Sequence, residues 1–149
     1  MTSLPTEAVT AASVVLPTWP GRTVGVLATV GDGPHTIPVS GPVRAGERRI
    51  LLALHRTRGS LERLRRRPGV ALLVLAGGDV AFTARGRASI VEEPLAGAPD
   101  YVAVAIDVDA VDDHRQAAFT VEAGVDRRWV DEAEQGALRA RSERLRELA

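Results

Sequence analysis

Two apolar runs bracketing an arginine-rich segment, Ile50–Leu54 (ILLAL) and Val70–Leu75 (VALLVL), constrain this chain more than any other feature. Runs of this length bounded by turn residues read as buried strands. Between them a short helix is expected. Ser60 stands at the N-cap position, Leu61 and Leu64 share a face, Glu62 and Arg66 can pair at i,i+4, and Pro68-Gly69 ends it. The loop before that helix, Arg56-Thr57-Arg58-Gly59-Ser60, joins arginine forks and hydroxyls to a helix N-terminus. That combination suits a phosphate, because unpaired N–H groups and guanidinium pairs both donate to its oxygens. The structural alternative is a capping serine beside solvated arginines.

The flanking pattern is that of a small antiparallel barrel. Val24–Val30 reads as a strand, Gly31-Asp32-Gly33-Pro34 as a turn, and 35–43 as the returning strand with Ile37, Val39, Gly41 and Val43 on one face. Pro38 and Pro42 cannot donate to a ladder, so that strand belongs at an edge or beside a ligand. From Val80 to Ile90 the alternation is regular, with Phe82, Ala84, Gly86 and Ala88 pointing one way. In Tyr101–Val111 the inward set is Val102, Val104, Ile106 and Val108, and Phe119, Val121, Ala123 and Val125 repeat the period. The tail from Asp131 to Leu148 changes to helical spacing, with Leu138, Leu145 and Leu148 on one side. A short helix is expected over Thr6–Val14, and Trp19 reads as a core anchor.

The fold class is therefore all-β dominated: a barrel of six to seven antiparallel strands, a short helix after the third strand and a C-terminal helix. All 149 residues make one domain, with 1–20 as an N-terminal extension and 131–149 as the closing helix.

Composition narrows the chemistry. All 19 basic residues are Arg, and Lys, Asn and Cys are absent, so neither a lysine Schiff base nor a thiol nucleophile is available. The formal net charge is zero, which argues against a dedicated nucleic-acid binder. The charge is nonetheless segregated: nine arginines fall between Arg44 and Arg67, and seven acids with no Arg between Glu92 and Asp113. No apolar stretch reaches the ~18 residues that span a bilayer, and the N-terminus lacks the basic start and apolar core of a signal peptide, so the cytoplasm is the expected compartment. His35, His55 and His114 are scattered, and no serine nucleophile pairs with a base, so no catalytic residue is assigned. Asp107, Asp109, Asp112, Asp113 and His114 lack the glycine and spaced glutamate of a calcium loop and read as a solvent face, leaving no metal site.

Three segments, GVLATVGDGPHTIPVSGPV, RILLALHRTRGSLERLRRRPGVALLVL and AFTARGRASIVEEP, carry a resemblance to the pyridoxamine 5'-phosphate oxidase-like, FMN-binding split-barrel family. The resemblance spans about Gly25 to Val91 and, more loosely, the final helix. It implies a homodimer with two cofactor sites at the subunit interface, each lined by both chains. In each, Thr36, Ile37, Pro38 and Val39 would lie along the isoalloxazine ring, and Arg56, Thr57, Arg58 and Ser60 would surround the phosphate. Gly86 and Arg87 match the family's G-R-A strand, and Arg128 or Trp129 would reach the site from the partner subunit. One departure stands out. With Pro68 setting the register, Ser60 occupies the place of the family's phosphate-binding Lys and Arg63 that of its Asn, so Arg56, Arg58 or Arg63 would have to supply the charge.

The function implied is an FMN- or deazaflavin-dependent oxidoreductase acting on a small organic substrate with a nicotinamide or deazaflavin partner. The alternatives on the same fold are a non-catalytic binding protein for flavin, deazaflavin or haem, and a homologue without cofactor.

Overall fold

The computed structural model describes residues 14–149. The helix expected over Thr6–Val14 lies outside them except for its last residue, Val14, which is buried with Leu16 in the core. Leu16 is held by main-chain pairing to the Glu47 carbonyl and by the Arg44 guanidinium on its own carbonyl oxygen.

Seven strands form one antiparallel sheet: β1 (Val24–Val30), β2 (Pro34–Ser40), β3 (Val43–Arg44), β4 (Arg49–His55), β5 (Gly69–Ala76), β6 (Val80–Glu92) and β7 (Tyr101–Asp113). Their order is β2-β1-β5-β6-β7-β4-β3. The sheet curls so that β2 and β4, far apart in that order, face each other across a split, and β2 keeps a free edge there. Pro38 is tolerated because β2 pairs on one side only, with β1. Inside the barrel, Leu27, Ile50, Leu52, Leu72, Val74, Phe82, Val104 and Ile106 are essentially inaccessible to solvent. Trp19 joins this core against Phe82, ring centroids 5.6 Å apart, while its indole N–H donates to the Pro42 carbonyl at 2.8 Å.

Two helices complete the fold, α1 (Gly59–Arg66) after β4 and α2 (Glu132–Leu148) at the C-terminus. Leu61 and Leu64 bury the inner face of α1, and Glu62 and Arg66 pair at 3.3 Å. Asp131 caps α2, its Oδ1 accepting from the Ala133 and Glu134 N–H groups. Leu145 then packs with Leu51, Leu95, Ala103 and Ala105 in a second apolar cluster on the outer side of β4 and β7.

Three expectations are corrected. Ser60 does not cap α1: the cap position is Arg58, with extended backbone and no side-chain cap bond, and Ser60 sits inside the first turn. The strand expected over 35–43 ends at Ser40, because Gly41 turns the chain at φ +62° and Pro42 has no N–H to continue a ladder. Gly41 and Val43 therefore leave the face shared by Ile37 and Val39. The alternation from Phe119 to Val125 forms no strand. That segment finds only a bridge between Gln116 and Phe119 and two hydrogen bonds joining Val121 to Asp79. Phe119 and Val125 are exposed, because no sheet edge is free to pair with them there. In β7 the expected inward set, Val102, Val104, Ile106 and Val108, is buried in the barrel, and Ala103 and Ala105 on the other face are buried under α2 as well.

Candidate functional site

The split between β2 and β4 holds a cavity of about 110 Å³. The free edge of β2 at Ile37, Pro38 and Val39 forms one side, the end of β4 with His55 and Arg58 a second, and α2 with Leu138, Arg141, Ser142 and Leu145 the third. Tyr101 at the start of β7 reaches it because β7 pairs with β4 in the register His55 to Tyr101. An apolar wall, an open main-chain edge and cationic heads thus share one small space.

The side chains are mutually ordered. The Arg141 guanidinium lies 3.9 Å from the Tyr101 ring centroid and pairs with Glu134 at 3.3 Å, so its charge is held against the aromatic face. His55 meets the same ring edge-on at 5.2 Å. The Thr57 backbone N–H donates to His55 Nδ1 at 3.3 Å, and the Thr57 hydroxyl lies 2.8 Å from the same nitrogen. The Arg58 main chain bonds His55 and Leu61, but its guanidinium makes no hydrogen bond or ion pair with a described residue and is a cation available to a ligand in the split.

The residues assigned to a cofactor disperse in this chain. Ile37, Pro38, Val39 and Arg58 line the split. Thr36 is exposed on β2 opposite Ala28 and outside the cavity. Arg56 turns away, with Nε on the Asp100 carboxylate at 3.1 Å, and Thr57 is engaged by His55. Ser60 is 1% exposed, and its Oγ has no hydrogen-bond partner. Arg63 donates to the Thr29 hydroxyl at 2.9 Å. Arg87 lines an open groove beside Pro68 and Asp107, and Trp129 a separate cavity on the other side of α2. Gly86 is there for packing: a Cβ on it would stand 2.1 Å from the Asp107 carbonyl oxygen, at the bulge where β6 crosses β7.

Sequence reasoning missed Tyr101 and the whole α2 wall. The signal was present, since Leu138, Arg141, Ser142 and Leu145 follow the i, i+3, i+4, i+7 spacing of one helix face.

The acidic run is structural. Arg85 holds the Asp112 carboxyl below the usual range by hydrogen bonding, Arg115 does the same for Asp113, and His114 bonds the Thr83 hydroxyl. Among the described residues no group of three or more His, Asp or Glu could hold a metal ion, and no helix is long and apolar enough to cross a membrane.

With α2 in place, the split of one chain alone is small for a complete FMN. The split of the single chain holds about 110 Å³, and Leu138 and Ser142 of α2 line it beside the β2 edge. Among the described residues the one buried polar side-chain atom without a partner is Ser60 Oγ, a hydroxyl at the place where the resemblance expects a phosphate-binding Lys.

No family model and no curated protein matches this sequence. Solved structures match its fold. General stress protein 26 from Bacillus anthracis is 23% identical with a TM-score of 0.51, over 61% of this chain and 83% of that one. A protein related to general stress protein 26, of the pyridoxinephosphate oxidase family, from Clostridium acetobutylicum is 15% identical with a TM-score of 0.52, over 62% and 80%. An F420 reductase is 19% identical with a TM-score of 0.52, over 62% and 91%.

Proposed function

We propose that this chain, which has the pyridoxamine 5'-phosphate oxidase-like split-barrel fold, is a ligand-binding protein whose site is the split between β2 and β4. The ligand is a flat heteroaromatic ring carrying one phosphate or carboxylate, smaller than FMN. One observation carries this reading: α2 closes the split to about 110 Å³ while leaving Arg58 free of a carboxylate partner. The main-chain edge at Ile37–Val39 would meet the ring's polar atoms, Tyr101 and Leu145 would exclude water, and Arg58 would take the anion.

The second reading is an FMN- or deazaflavin-dependent oxidoreductase of small organic substrates, working as a homodimer with α2 withdrawn from the split. Two observations favour it: the free edge of β2 where the ring would lie, and the likeness to an F420 reductase. Titration of the purified protein with pyridoxal 5'-phosphate and with FMN separates the two. The binding reading expects saturable uptake of the single-ring phosphate near one per chain, with FMN at least tenfold weaker. Flavin retained through desalting and bleached by a nicotinamide donor establishes the oxidoreductase instead.

A further inference from the structure

On the side of α2 away from the split lies a larger cavity of about 340 Å³, within the size range of small-ligand pockets. Four arginines line it, Arg22 from the approach to β1, Arg127 from the segment before α2, and Arg139 and Arg146 from α2 itself. No carboxylate lines it, and among the described residues none of the four has an ion-pair partner. Eight other arginines of the chain do have such partners, so the convergence here is not the chain's general habit. Like charges gathered around one concavity repel, and an anion between them turns that repulsion into attraction.

The pocket is also partly ordered. Arg127 donates to the Ser40 hydroxyl at 2.8 Å and stacks with its guanidinium carbon 5.0 Å from the Trp129 ring centroid. Ser142, 8% exposed, lies against Gly41 at the base: a Cβ there would come within 3.1 Å of its Oγ. The close approach of α2 to that turn brings Arg139 and Arg146 round to face Arg22.

We infer that this cavity is a binding site for a small molecule bearing a diphosphate group, held by Arg22, Arg127, Arg139 and Arg146 beside Trp129. Guanidinium forks match phosphate oxygens two at a time, and four of them suit more negative charge than a single carboxylate carries. Leu138 and Ser142 of α2 stand between this site and the split and line both, so this site requires α2 in the docked position.

Calorimetric titration of the full chain with pyrophosphate and with ADP at low ionic strength tests it. We expect one site per chain for at least one of the two probes. The double variant Arg139→Ala, Arg146→Ala should lose at least tenfold in affinity, while Arg66→Ala, on α1, changes it less than twofold. Both α2 positions are exposed, and circular dichroism checks that the helix persists. The double variant to Lys should recover part of the affinity, since charge without the fork is a weaker phosphate partner. Absence of saturable binding of both probes overturns the proposal. So does an equal loss in Arg66→Ala, which would reduce the effect to general surface charge.

Discussion

Arg144 on the last turns of α2 grips both carboxylate oxygens of Glu92 at the end of β6, Nε on Oε1 at 3.0 Å and Nη2 on Oε2 at 2.5 Å. With the Ala96 N–H also donating to Oε1, the Glu92 carboxyl is held down to about 2 from an ordinary 4.5. This pair ties the helix that closes the split to the barrel.

A carboxylate with a depressed folded-state pKa stabilises fully above its unfolded value, and that stability is lost as pH falls through the folded value. The contribution of Glu92 should therefore be complete above about pH 4.5 and vanish towards pH 2. The thermal midpoint of Glu92→Gln should lie below wild type at pH 6, with the gap shrinking across that window. A gap unchanged down to pH 2 would mean the pair contributes no charge-dependent stability.

The two loop arginines should behave differently. Arg56 is committed to Asp100, whereas Arg58 lines the split. Arg58→Ala should weaken a single-ring phosphate by tenfold or more, consistent with about 1.5–3 kcal/mol for a hydrogen bond to a charged group. Arg56→Ala should change it less than twofold. Equal losses in a titration of both variants would contradict this loop geometry.

Ser60→Ala should be neutral or stabilising. The hydroxyl is buried without a partner, a situation that costs about 1–3 kcal/mol for an orphaned polar group. Urea unfolding should give an equal or higher midpoint; a clear fall would reveal a hydrogen bond to Oγ.

Leu145→Ala should cost about 2–5 kcal/mol, the usual range for emptying a core leucine site. Leu145 is 2% exposed and also lines the split. The same change should enlarge the cavity, so FMN affinity should rise as stability falls. If stability falls and FMN affinity does not move, α2 is not what excludes the larger ligand.

Gly86→Ala should be among the most damaging single-methyl changes in the chain, because the new atom meets the Asp107 backbone, which belongs to a paired strand and cannot swing aside. Loss of soluble protein, or a midpoint drop equivalent to more than about 3 kcal/mol, is the expected result.

Local pattern was enough for β1, β4, β5, β6 and β7, for the arginine-bearing helix with Leu61 and Leu64 inward, and for the C-terminal helix. In each, the period of apolar residues matches the geometry of one element, and that information lies within a dozen neighbouring residues. The edge position of β2 was legible in Pro38, which has no N–H to donate to a second neighbour. What the sequence could not settle by itself depends on contacts between distant residues. Ser60 is a good cap by type, but it is buried and the cap lies two residues earlier, at Arg58. Phe119 to Val125 alternates like a strand and finds no edge to pair with. The meeting of Arg141 with Tyr101, and of Arg139 and Arg146 with Arg22, joins residues 40 to 124 positions apart. Their charges are visible in the sequence, but only the docking of α2 on β4 and β7 decides which of them share a cavity and how large that cavity is.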